Sequence, residues 1–64
     1  MNDRSEQYQW LASEAATALD DQLARIRADQ ERGTINVREA ADQRVRALEE
    51  HLDRLRLLRE EYLS

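Results

Sequence analysis

Arg32-Gly33-Thr34-Ile35-Asn36-Val37-Arg38-Glu39 is the stretch that decides the fold. It holds the only glycine of the chain and divides two long helical patterns of nearly equal length. Glycine reaches positive φ at low steric cost, so Gly33 suits the C′ position just past a helix end. Asn36 is a good N-cap, and Glu39 falls at N3, where its carboxylate reaches back to complete a capping box. Ile35 then stands at N′ and Ala40 at N4, the two positions of a hydrophobic staple. A stop signal followed so closely by a start signal specifies two antiparallel arms. The sequence predicts an all-α helical hairpin in one domain spanning 1–64, with helix 1 about 5–32, a turn at 33–36 and helix 2 about 37–62.

Toward the N-terminus, residues 1–4 are polar and are expected to fray, with Asp3 and Glu6, or Ser5 alone, capping the first helix. From there to Arg32 no residue breaks a helix, and Ala, Leu, Gln, Glu and Arg dominate. Helical spacing puts Tyr8, Leu11, Ala12, Ala15, Leu19, Leu23 and Ile26 on one face, with Ala16 at its flank. This stripe is rich in alanine, and small residues call for large side chains opposite them.

The second arm supplies large side chains. Ala41, Val45, Leu48, Leu52, Leu55, Arg59 and Tyr62 follow a strict alternation of four and three, and a second line runs through Leu48, His51, Leu55, Leu58 and Tyr62. Overlaid, they make a stripe broader than the seam of a two-stranded coiled coil. Folding back at Gly33 is expected to set Ile26 against Ala41, Leu23 against Val45, Leu19 against Leu48 and Ala12 against Leu55. A stripe this wide needs more than one neighbour: one arm of the same hairpin and one from a second chain. Two hairpins so paired form a four-helix bundle. Its oligomer core is expected to be Leu19, Leu23, Ile26, Val45, Leu48, Leu52, Leu55 and Tyr62.

Composition points the same way. Sixty-four residues, with Leu, Ile and Val numbering 13 and no Phe, make a small apolar inventory. Domains this short need disulfides, a metal or self-association. There is no cysteine, so self-association remains, and a homodimer is the expected state. No apolar run of about 18 residues exists to span a membrane, and the N-terminus lacks the layout of a signal peptide. The expected location is cytoplasmic. All ten basic residues are arginine, a bias of the kind a GC-rich bacterial genome imposes.

Chemistry finds little footing. The single histidine, His51, has Ala47, Leu48, Arg54 and Leu55 at the spacings where a helix would place a second ligand, so neither a metal nor a cofactor is expected. The serines lie at Ser5, Ser13 and Ser64, away from His51 in the hairpin register, so no nucleophile has a base. A non-enzymatic role follows. Arg38, Asp42, Arg46, Glu50 and Arg54 alternate in sign every four residues and mark the solvent face of helix 2, each pair contributing about 0.2–0.5 kcal/mol.

Two interaction readings remain. Trp10 falls nearly opposite Leu19 and Ile26, in line with Thr17, Asp21, Ala24 and Ala28. An exposed tryptophan beside a shallow groove is a natural anchor for a protein partner, with Leu57 and Leu63 as companions on helix 2; the other reading folds Trp10 over the bundle end or packs it in the homodimer. The alternative is a small RNA- or DNA-binding regulator using Arg25, Arg27, Arg44 and Arg46. Residues 25–59 hold nine arginines against seven acids, while residues 1–24 hold one against five. The net charge of −4 leaves little basic surface for counterion release, so the protein-interaction reading leads.

Overall fold

The computed structural model describes residues 3–63. Two helices, α1 (Asp3–Glu31) and α2 (Val37–Leu63), pack side by side in opposite directions as an all-α hairpin. The rod measures 50 × 15 × 8 Å between Cα atoms.

The turn forms as its residues dictate. Gly33 has φ 79°, and its N–H donates to the Gln30 carbonyl at 3.1 Å. The Thr34 N–H donates to the Asp29 carbonyl at 2.9 Å, which completes a Schellman motif. The Arg32 guanidinium pairs with the Asp29 carboxylate on the same turn. Both halves of the capping box are made: the Glu39 N–H donates to Asn36 Oδ1 at 2.8 Å, and the Asn36 N–H donates to Glu39 Oε1 at 3.1 Å. Ile35 is half-buried and Ala40 is fully buried, as a staple requires.

On α1 the inward face is the expected one, with Ala15 and Ile26 buried and Tyr8, Leu11, Ala12, Leu19 and Leu23 half-buried. On α2 it is rotated. Ala40 and Ala47 are buried, while Arg44, His51, Leu58 and Tyr62 are half-buried along the same line. The first part of the stricter apolar line stands outside the contact, since Ala41 is exposed, Val45 is 52% exposed, Leu48 45% and Leu52 63%, while Leu55 and Tyr62 at its far end are half-buried. The expected pairings of Ile26 with Ala41, Leu23 with Val45 and Leu19 with Leu48 are therefore displaced. Leu19 shares a groove with Ala47 and His51 instead. The physical reason lies in the turn. A staple between N′ and N4 sets the angle at which the chain starts its helix, so it turns Ala40, and Ala47 two turns later, toward α1. Alanine on both sides of the seam lets the backbones approach closely.

The open end of the hairpin also differs from expectation. The helix begins at Asp3, with Ser5 inside its first turn; Met1 and Asn2, expected to fray, lie outside the described residues. Asp3 and Glu6 favour the positive end of the helix dipole. Arg4 crosses to α2, where its guanidinium donates to the carbonyls of Glu61 and Tyr62 and lies 5.5 Å from the Tyr62 ring centroid. The last turn carries Glu60 and Glu61, which oppose the dipole there, yet the helix continues to Leu63. An arginine from the other arm satisfies terminal carbonyls that the sequence of α2 leaves open.

Candidate interaction surface

Flank by flank, the hairpin has two unlike sides. On one, open grooves between the helices are lined by Ala18, Gln22 and Arg25 of α1 and by Gln43, Arg46, Glu50 and Arg54 of α2. Helical spacing puts Ala12, Ala16 and Leu23 on the opposite flank of the α1 seam, and Ala41 and Leu48 on the opposite flank of the α2 seam, with Leu52 and Val45 farther round toward the outer face of α2. Since the first flanks share one side of the hairpin, the second flanks share the other. A groove there brings Leu23 together with Arg44, flanked by Asp20, Ala24 and Arg27. One side of the rod thus carries most of the polar lining, with Leu11 and Leu58 in its groove toward the open end, and the other carries an uncovered apolar strip.

The strip is uneven in size. Its α2 half is made of valine and leucine, and its α1 half of alanine at positions 12 and 16 with leucine at 23. Within the hairpin alone it remains wet. Of the residues proposed from sequence for the oligomer core, Ile26 is buried, Leu19, Leu23, Leu55 and Tyr62 are half-buried, and Val45, Leu48 and Leu52 are exposed.

Trp10 stands 62% exposed at the head of a second groove, on the outside of α1, lined by Ser13, Glu14, Thr17, Ala18 and Asp21. All of its lining comes from α1. Leu57 and Leu63 are exposed on α2 and contribute nothing to this groove.

The four arginines considered for nucleic acid divide between the two sides. Arg25 and Arg46 face each other across the polar groove, in the company of Asp29 and Glu50. Arg27 and Arg44 line the other side. Arg44 donates to Gln30 Oε1 at 2.8 Å in a half-buried bridge between the arms, and Arg27 pairs with Glu31 at 3.7 Å. The first partnership crosses between the arms and was not readable from helical spacing on one of them, whereas Arg27 and Glu31 are ordinary i,i+4 neighbours on α1. The alternating ladder on α2 does mark a solvent face, since Arg38, Asp42, Arg46, Glu50 and Arg54 are all exposed. No ion pair within 4 Å is seen between its members among the described residues; the pairs that form include Arg27–Glu31, Asp29–Arg32 and Asp53–Arg56.

His51 is half-buried in the inter-helix groove beside Gln22, Glu50 and Arg54. Among the described residues no group of three His, Cys, Asp or Glu side chains is placed to hold a metal ion, and no helix is long and apolar enough to cross a membrane. No buried side-chain nitrogen or oxygen among them lacks a hydrogen-bond partner. No protein family, curated protein or solved structure matches the chain.

Proposed function

We propose that the chain is a non-enzymatic assembly module: a homo-oligomeric helical scaffold that presents outer helical faces to a protein partner. The observation that carries this reading is the uncovered strip of Val45, Leu48 and Leu52 beside Leu23 and the small Ala12 and Ala16. Surface area supports a second copy as its cover. The chain exposes 5247 Å², whereas a folded monomer of 7.6 kDa is expected to expose about 4,300 Å². The surplus, about 950 Å², is close to the roughly 800 Å² that each partner hides in a standard interface.

Trp10 then serves as the anchor for a different protein, with Leu57 and Leu63 as secondary contacts. It lies on the outside of α1, away from the strip, so a dimer leaves it available. Its groove is flanked by Glu14 and Asp21, and the first 24 residues carry one arginine against five acids. Charge complementarity thus favours a basic partner segment.

The test is solution mass by light scattering over a hundredfold concentration range, with circular dichroism on the same samples. A helical species of twice the chain mass is the expected result. A weakly helical monomer at every concentration would refute the scaffold and make the strip the seat of a different chain. Where the dimer is found, pull-downs with wild type and Trp10→Ala test the anchor: the variant keeps its mass and helicity and loses the partner.

A further inference from the structure

The groove headed by Trp10 is lined by α1 alone, and the charges around it point to its occupant. Resting on the reading of Trp10 as a partner anchor, we infer that this face seats an arginine-bearing helix of another protein. One arginine of that helix stacks on the Trp10 indole while others reach Glu14 and Asp21.

The face has the form a helix fits. Trp10, Glu14, Thr17 and Asp21 are spaced i, i+4, i+7 and i+11, which sets them in one line along the outside of α1. Ser13 and Ala18 flank the line and are small, so a second helix can approach closely beside them. Thr17 makes no polar demand on a partner, because its hydroxyl donates to the Ser13 carbonyl at 3.2 Å.

Charge selects the kind of helix. Residues 5–24 hold no basic side chain, and Glu6, Glu14, Asp20 and Asp21 all stand exposed. The arginine ahead of them, Arg4, reaches across to α2, where it donates to the carbonyls of Glu61 and Tyr62. Arg25, Arg27 and Arg54 line the grooves between the helices. No ion pair within 4 Å is seen on these acids among the described residues. Such a surface repels nucleic acid and anionic lipid and attracts a basic chain. Acids alone make only a solvated face. Trp10, 62% exposed one turn before Glu14, adds the platform, and indole is the best of the aromatic faces for a cation. Arginine suits it better than lysine, because a planar guanidinium stacks on the ring while its N–H groups still reach a carboxylate. Matching levels along α1 places the partner's arginines at i, i+4 and i+11 when the two helices run parallel. Run antiparallel, the partner carries them at i, i+7 and i+11.

Trp10 is the only tryptophan, so its own fluorescence reports on the face. The full chain is titrated with a synthetic alanine–glutamine helix of about 18 residues, long enough to hold helical structure in water. That peptide carries arginine at i, i+4, i+7 and i+11, which serves either direction. Two further peptides carry lysine or glutamine at the same places. The arginine peptide should change the emission and bind about two- to fivefold more tightly than the lysine peptide. Its affinity should fall as salt is raised. The double variant Glu14→Gln with Asp21→Asn alters two exposed positions outside the seam and should weaken it about fivefold. Equal affinity for the lysine and arginine peptides, or undiminished binding by the double variant, overturns the inference. A glutamine peptide that binds as well as the arginine one also overturns it, while leaving Trp10 an anchor for an uncharged partner. No response to any peptide at about millimolar concentration overturns the anchor as well. Emission that shifts with protein concentration, with no peptide present, places Trp10 against a second copy and overturns both. Solution mass reports on the scaffold separately.

Discussion

At the scale of single residues, the turn makes the sharpest claims. Gly33 adopts φ 79° with nothing within 4 Å of where a Cβ would be, so substitution there costs backbone strain and no clash. Gly33→Ala should destabilise by about 1–2 kcal/mol, and Gly33→Asn by less, because asparagine tolerates the left-handed region better. Asn36→Ala removes the acceptor for the Glu39 N–H and should lose about 1 kcal/mol. Urea midpoints, compared at one fixed protein concentration, give both orders. If Gly33→Ala and Gly33→Asn shift the midpoint equally, strain at the C′ position is not what the glycine relieves. Arg4 makes a claim of another kind. Its contacts with Glu61 and Tyr62 join the two ends of the chain. Arg4→Gln should speed amide exchange in the last turn of α2 and leave the amides near Asn36 unchanged. Uniform acceleration along α2 would instead make Arg4 a contributor to global stability.

At the scale of the element, both helices and the turn between them were legible because stop and start signals are local. Gly33, Asn36 and Glu39 act within four residues of one another, and their hydrogen bonds form as their spacing implies. The inward face of α1 was legible too, since a single apolar line runs along that helix and its other positions are mostly polar or small. The rotation of α2 was not, because two apolar lines compete on that helix and periodicity weights the line with more leucine. The staple at Ile35 and Ala40 held the answer: an N4 residue that faces inward carries Ala47 inward with it. The candidate surface was legible as a set of residues, with Trp10 exposed as spacing predicts, but its division into an apolar and a polar side needed both arms in register. Long-range partners such as Arg4 with Tyr62 and Gln30 with Arg44 left no sequence signal, being single polar residues far apart in the chain. Two substitutions separate the seams. Ala47→Leu enters a site only 2% exposed, so it should push the arms apart and destabilise the hairpin by about 1–3 kcal/mol. Leu48→Asp changes a side chain that the hairpin leaves 45% exposed and should abolish the dimer. Sedimentation and circular dichroism on the pair check this, and a Leu48→Asp chain that stays both helical and dimeric would show that Leu48 lies outside the interface.

At the scale of the whole molecule, size governs. Among the described residues, those buried are three alanines and one isoleucine, with no large side chain fully enclosed, and a core that small contributes little to holding a chain of this length folded. On the scaffold reading, folding and association are one equilibrium, and thermal stability follows mass action. For a dimer of two such chains, the usual enthalpy per residue gives a melting enthalpy of about 90 kcal/mol, so a hundredfold increase in concentration should raise Tm by about 10 °C. Melting followed by circular dichroism at several concentrations measures this directly. A Tm that stays fixed while the helical signal is strong would mean that the alanine seam and the Arg4 contacts suffice alone. The apolar strip would then be a surface kept open for another protein, and the search for that protein would move from Trp10 to Leu48 and Leu52. A Tm that climbs as calculated, in Trp10→Ala as in wild type, places the strip inside the assembly and the tryptophan outside it.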